Sequence, residues 1–177
     1  MLVSLLRRKD IHQTPTHQIS HVKNSLYLQS CQKYVVLLRR HKNTTMRIDK
    51  HLLDKLTAEA KASPRLRMNY DLRNSDDDGS QRMLNAIEPD SPLPIHRHMK
   101  SSETVVCLRG HLREIFYNDT GVLTEVTDLM PDSDCMALNI PIGQWHTVEA
   151  LESGTIILEC KDGAYEPLSE ADVMQRQ

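Results

Sequence analysis

The stretch Pro94-Ile95-His96-Arg97-His98-Met99-Lys100-Ser101-Ser102-Glu103-Thr104-Val105-Val106-Cys107-Leu108-Arg109-Gly110 decides how the chain is read. Its skeleton is H-x-H-x(4)-E-x(6)-G. Side chains on an extended segment alternate with period two, so His96 and His98 face the same way and both can reach one ion. The residues after His98 read as a turn that brings Glu103 back at the start of a β-forming run, offering a carboxylate oxygen to the same centre. Gly110 ends that run in a turn, where a residue without Cβ is useful.

A second segment, Pro141-Ile142-Gly143-Gln144-Trp145-His146, has the form P-x-G-x-x-H. Pro fixes φ and Gly accepts unusual backbone angles, so this reads as a tight turn delivering His146, a third imidazole, at the start of another strand. Three His and one Glu leave a five- or six-coordinate divalent ion with open positions for water, oxygen or substrate.

Around these segments lie short runs of β-forming residues: Met83 to Ile87, Glu103 to Leu108, Leu112 to Tyr117, Val122 to Leu129, Met136 to Ile140, Thr147 to Leu151 and Thr155 to Lys161. Arg109-Gly110, Asn118-Asp119-Thr120-Gly121 and Glu152-Ser153-Gly154 separate them as hairpin signals. Strands at this spacing point to an antiparallel sandwich or barrel. Upstream, Leu52, Leu53, Leu56 and Ala60 form a helical stripe over about 49–61, with Asp49 placed to cap it and Ser63-Pro64 to end it. Arg65 to Gly79 is polar and reads as irregular.

The chain has 177 residues and a net charge of -2, unevenly spread. Residues 1–45 hold eight Lys or Arg against the single acid Asp10, for +7, while the remainder holds 14 basic and 23 acidic residues, for -9. The leader reads as a disordered or mis-started extension, with a nucleic-acid or anionic-membrane arm as the alternative. Aromatic residues make up 4% of the chain, too few for the stacking platforms that hold single-stranded nucleic acid. No apolar run approaches the ~20 residues that cross a bilayer. Cys31, Cys107, Cys135 and Cys160 are widely spaced among apolar neighbours and read as reduced thiols, which suits a cytoplasmic protein.

The two motifs resemble those of the cupin superfamily, G-x(5)-H-x-H-x(3,4)-E-x(6)-G and G-x(5)-P-x-G-x(2)-H-x(3)-N, at His96, His98, Glu103, Pro141, Gly143 and His146. Asp90 and Cys135 stand where each motif begins with Gly, and Ala150 where the second ends with Asn. More narrowly, residues 46–166 resemble the WbuC-type cupin fold metalloproteins through Ser63-Pro64-Arg65-Leu66-Arg67-Met68-Asn69-Tyr70, Gln81-Arg82-Met83-Leu84-Asn85, His96-Arg97-His98, Gly143-Gln144-Trp145-His146-Thr147 and the Lys161-Asp162-Gly163 to Tyr165 tail. That resemblance implies a small, mainly β, jelly-roll-like cupin barrel with a short N-terminal helix. The expected division is a basic extension at 1–45, a helical segment at 46–64, a metal-binding barrel at 65–166 and a tail at 167–177.

The expected metal ligands are His96, His98, Glu103 and His146, holding one divalent ion (Fe, Mn, Zn or Ni). Glu103 has the alternative of pairing with Arg113 or Arg97. Glu103 and Glu159 are the candidates for proton transfer, Glu159 having the alternative of a strand-face acid. Arg65, Arg67, Arg73 and Arg82 could hold the phosphates of a nucleotide-sugar, though pairing with nearby acids is the commoner fate. Trp145 could wall the pocket or sit in the core, Tyr165 could reach the pocket or merely pack, and Met68, Met83, Met99, Met130 and Met136 read as core filler.

The resemblance associates the chain with bacterial surface-polysaccharide (O-antigen) gene clusters. The resulting expectation is a metal-dependent enzyme, such as an isomerase or epimerase, acting on a sugar or nucleotide-sugar. The alternatives are an Fe(II)-dependent small-molecule dioxygenase, or a non-catalytic sugar- or partner-binding module with a structural metal. The expected partners are a sugar-like ligand and a second copy in a homodimer, with neither nucleic acid nor membrane.

Overall fold

The computed structural model describes residues 45–174, of which 46–174 form one compact unit. The basic leader and Cys31 lie outside the described residues. Helix α1 (Lys50–Ala62) opens on Asp49, whose carboxylate accepts a hydrogen bond from the Leu52 N–H at 3.1 Å, a cap worth about 1 kcal/mol. The helix stops at Ser63, which is extended, because the residue before a proline is driven out of the helical region. Its buried stripe is Leu53, Leu56 and Ala60.

Eight strands follow among the described residues: β1 (Arg67–Asp71), β2 (Ser80–Ile87), β3 (Glu103–Arg109), β4 (Leu112–Tyr117), β5 (Leu123–Leu129), β6 (Ala137–Ile140), β7 (Trp145–Ala150) and β8 (Thr155–Asp162). They form a five-stranded sheet ordered β1-β2-β8-β3-β6 and a three-stranded sheet ordered β5-β4-β7, with every pairing antiparallel. The seven runs expected from the sequence all appear as strands. β1 was expected to be irregular; its polar residues are carried as an edge strand by the register Arg67↔Ile87 to Asp71↔Met83.

One face of the large sheet lies under α1, where Leu53, Leu56 and Ala60 meet Leu84, Ala86 and Ile156. Burying a side chain such as Leu56 contributes about 1.5–3 kcal/mol. The other face meets the small sheet, where Ile87, Val105, Cys107, Ile140 and Ile157 pack with Leu112, Leu129 and Ala150. The expected barrel is not closed. Among the described residues no strand pairing joins the two sheets: β5 pairs only with β4 and β6 only with β3, so neighbours in sequence become edges of different sheets.

At the apolar end the chain crosses between sheets at Gly110. Its φ is +81°, and a Cβ there would lie 2.7 Å from the Thr155 Cα, so only glycine fits. Arg109 ties this turn to the helix: its guanidinium donates to Gly154 O at 3.1 Å, Asp54 Oδ1 at 2.6 Å, Leu53 O at 2.9 Å and the Thr57 hydroxyl. Cys107 is buried, Cys135 and Cys160 are half-buried, and all three are free thiols. Met99 and Met136 are not core filler; both are about half exposed, at 52% and 51%. No helix among the described residues is long and apolar enough to cross a membrane.

Candidate metal centre

Strand alternation builds the site from the inner face of the large sheet. Ile157 faces the core, so Glu159 and Lys161 face the same side. Lys161 pairs with Glu103 on β3, and Val105 with Glu159. From the small sheet, His146 at the start of β7 pairs with Phe116. His96 lies outside the named strands and bridges to His146, the two exchanging backbone hydrogen bonds at 2.9 Å each. The turn Pro141–Gly143 pins His98: Gly143, at φ +78°, donates its N–H to the His98 carbonyl at 2.8 Å.

The sequence-expected ligands are brought together. One ligand atom from each of His96, His98, Glu103 and His146 lies within 4.8 Å of the others, so the four can hold one metal ion. The Nδ1 of His96 lies 3.2 Å from Pro94 O, and that of His146 lies 3.0 Å from Gln144 O. A carbonyl only accepts, so each Nδ1 carries the proton and each Nε2 keeps its lone pair. Glu103 Oε2 lies 3.0 Å from His98 Nε2 and 3.4 Å from His146 Nε2, yet it is buried without a hydrogen-bond donor. An orphaned buried carboxylate oxygen facing imidazole nitrogens is what a divalent cation would satisfy. Arg113 and Arg97, the alternative partners of Glu103, pair instead with Asp128 and Asp172.

Electrostatics around the cluster favour neutral imidazole and bound cation. Burial, then the neighbouring His146 and His98, push His96 from its ordinary 6.5 down to about 4. Burial works against ionisation of Glu103, yet its carboxyl is held well below its ordinary range, with the Lys161 ammonium 3.7 Å from Oε1 as the positive charge beside it.

Glu159 and Lys161 form an ion pair against this cluster, and Lys161 Nζ also lies 3.3 Å from His98 Nε2 and 3.7 Å from Glu103 Oε1. Burial and the Glu103 charge push Glu159 up to about 7 despite Lys161. Burial alone would lower the Lys161 pKa; the charges of Glu159 and Glu103 raise it instead, so it stays an ammonium. Asn85 Nδ2 donates to Glu159 Oε2 at 2.7 Å, while Asn85 Oδ1 is buried without a donor. A proton on Glu159 would satisfy that oxygen once the amide turned over.

Sequence reasoning did not single out Lys161 or Glu114. Glu114 is fully buried on β4, and neither carboxylate oxygen has a partner. Burial, then the charges of Glu103 and Glu159, push its carboxyl well above the ordinary range, which keeps it neutral. The signal was present in the run Leu112-Arg113-Glu114-Ile115-Phe116, where alternation puts Glu114 on the face of Leu112 and Phe116.

Other candidates fall elsewhere. Arg67 donates to Pro92 O at 2.7 Å, Arg73 pairs with Asp71 and Arg82 with Asp78, each at 2.9 Å, and Arg65 is exposed. Three of the four guanidinium groups are thus engaged by their own neighbourhood. Tyr165 is exposed, with the Arg73 guanidinium 5.7 Å from its ring centroid. Trp145 is buried; its Nε1 donates to Asp119 at 3.1 Å, and Arg97 covers its ring at 4.4 Å from the centroid. It borders a groove of about 270 Å³, lined also by Tyr117, Asp119, Ile142, Gly143 and Gln144, that lies beside the metal ligands and not over them. Asp90, standing where the first motif has Gly, has φ +64°, the left-handed geometry that Asp tolerates better than most residues. Ala150, standing for Asn, is buried in the apolar end against Leu112.

Residues 48–129 match the model of a family described as a domain of unknown function, DUF6016. No curated protein matches the chain. Among solved structures it is similar to KdgF from Halomonas sp., with 14% identity over 57% of this chain and 82% of that one, TM-score 0.44. It is also similar to an oxalate oxidase solved with glycolate, with 13% identity over 62% of this chain and 57% of that one, TM-score 0.48. A third is oxalate decarboxylase from Bacillus subtilis, a protein with Mn(II) centres, with 18% identity over 62% of this chain and 27% of that one, TM-score 0.43. Motif spacing, two facing antiparallel sheets and four converging side chains together make this a cupin-like fold with one candidate metal centre.

Proposed function

We propose that the protein is a metal-dependent enzyme acting on a small polar, sugar-like molecule, with a nucleotide-sugar of bacterial surface-polysaccharide synthesis as the preferred class. The observation that carries this reading is the Glu159–Lys161 pair set directly against the four ligands. A purely structural metal has no need of a largely buried acid–ammonium pair beside it. A divalent ion held by His96, His98, Glu103 and His146 would supply Lewis-acid polarisation of a carbonyl or hydroxyl oxygen.

This chain's own residues supply the rest. Glu159, held between Asn85 and Lys161, takes or gives a proton at its carboxylate oxygens. Lys161 holds that carboxylate in place and steadies its charge when the proton leaves. Tyr117, Asp119 and Gln144 border the neighbouring groove with the polar groups that a hydroxyl-rich molecule would pair with. The polysaccharide assignment draws on the sequence resemblance, and the same reading takes the protein as a cytoplasmic homodimer without nucleic-acid or membrane partners.

The test is elemental analysis of protein purified without added metal, followed by a panel of sugars and nucleotide-sugars. The expected result is one divalent ion per chain and a turnover lost on chelation. Glu159→Gln should keep the ion and lose the turnover. Fe(II) with oxygen uptake would replace this reading by a dioxygenase, and a bound ion whose removal costs only stability would replace it by a binding module.

A further inference from the structure

His96 is flanked on both sides. One side is the exchange with His146; on the other, the segment after the short 3-10 turn Glu170–Asp172 lies alongside it, with a bridge His96↔Val173. Arg97 N–H donates to Asp172 O at 3.1 Å, and Met174 N–H donates to Ile95 O at 2.9 Å. The side chains repeat the tie: Arg97 Nε donates to Asp172 Oδ1 at 3.2 Å, and Ser169 Oγ donates to Asp172 Oδ2 at 2.6 Å. On its other side the same guanidinium lies over Trp145, next to His146.

We infer that Ser169–Met174 is a strap that positions the metal ligands, with Asp172 as its positioning residue, so that undocking it weakens binding of a divalent cation. This rests on the reading of His96, His98, Glu103 and His146 as a metal site. His96 and His98 lie outside every named strand, and an isolated two-stranded pairing is marginal in water. The strap gives the ligand segment a neighbour on each side, as an inner strand of a sheet has. None of Ser169 to Met174 belongs to either apolar cluster; its backbone and charged contacts go to the ligand segment, and the Met174 sulfur lies beside the Gly121 turn. Partners that orient metal ligands from outside typically change affinity about 10–100-fold when removed.

The experiment titrates the metal-free full chain with Zn²⁺ against a chromophoric chelator. It compares the parent with Asp172→Ala, Asp172→Asn and a chain ending at Leu168. The expected result is Zn²⁺ affinity about tenfold weaker in Asp172→Ala and in the shortened chain. Asp172→Asn, which keeps the acceptor oxygen, should recover part of it. The metal-free melting temperature should move little, while the His96 and His146 amides exchange with solvent faster in the shortened chain. Parent-like affinity in Asp172→Ala, or parent-like exchange at His96 without the strap, would overturn the inference. Failure of the parent itself to bind Zn²⁺ would overturn the metal reading instead.

Discussion

On β8, Ile156 turns toward helix α1 while Ile157, Glu159 and Lys161 turn toward the small sheet; on β2, Leu84 and Ala86 are set against Asn85 in the same way. The helix side is apolar and dry, with Leu84 and Ile156 fully buried. The inner side begins apolar near Leu112, Leu129 and Ala150, then becomes polar through Glu114, Glu159 and Asn85 up to Glu103 and His146. A one-residue step along one strand therefore separates what stabilises the sheet from what can do chemistry. That separation has a cost, because the inner face carries buried polar atoms without partners, among them Glu103 Oε2 and both oxygens of Glu114.

The sharpest break in this comparison is on the helix side. Leu84→Ala should lower unfolding stability by about 2–5 kcal/mol in urea denaturation, through lost burial and the cavity left behind. The molecules that remain folded should bind metal as tightly as the parent. A matching loss of affinity would show that the two faces are not independent.

On the inner side the order reverses. His98→Ala should weaken Zn²⁺ binding by about 100-fold, at or beyond the upper range for an orienting partner, and leave metal-free stability within about 1 kcal/mol. Acidification acts on the same side. The folded pKa of His96 is about 4, below its ordinary 6.5, so the neutral imidazole favours the folded, metal-holding form. That contribution to folding is complete above 6.5 and is lost as pH falls toward 4, so the unfolding stability of the metal-free protein should decline across this window, as urea denaturation at each pH would show.

A smaller effect is expected at Glu103, where Glu103→Gln keeps shape and one oxygen but removes the charge that helps neutralise a divalent ion. Zn²⁺ affinity should fall about tenfold, with the fold intact. Undiminished affinity would recast Glu103 as a proton-transfer residue.

The smallest expected change is a gain. Glu114→Met fills the same space without unpartnered oxygens and should stabilise the metal-free protein by about 1 kcal/mol. Because the folded pKa of Glu114 is raised, the parent loses stability as pH climbs above the ordinary 4.5. The gain should therefore be larger at pH 8 than at pH 5, as paired denaturation curves would show.

Much of this was legible beforehand. The helix with its Asp49 cap, seven of the strands and the four converging ligands follow from periodicity, turn chemistry and motif spacing. β1 was hidden because an edge strand borrows its order from β2, and Asn69 and Asp71 have little strand propensity of their own. Glu114 and Lys161 were missed for a different reason. Alternation says which residues share a face, but only the pairing of β8 between β2 and β3 shows that this face looks into the polar end. The strap was invisible because backbone hydrogen bonds, which leave no side-chain pattern, join residues 95–97 to 172–174, and the one ion pair that repeats the tie, Arg97–Asp172, spans 75 residues of sequence.

The order β1-β2-β8-β3-β6 places the last strand in the middle of the large sheet. During synthesis β2 and β3 therefore leave the ribosome with no partner between them, and two unpaired edges persist until residues 155–162 have emerged. Closing that gap joins segments about 75 residues apart, as in Asn85↔Ile157, a non-local step of the kind that makes β-rich chains fold slowly. Because Glu159 and Lys161 lie on that same strand, the acid and ammonium beside the candidate metal centre enter with the piece that completes the sheet. A nascent chain stalled before β8 would expose the histidines without the acid and ammonium that surround them, and would be a natural client for a chaperone.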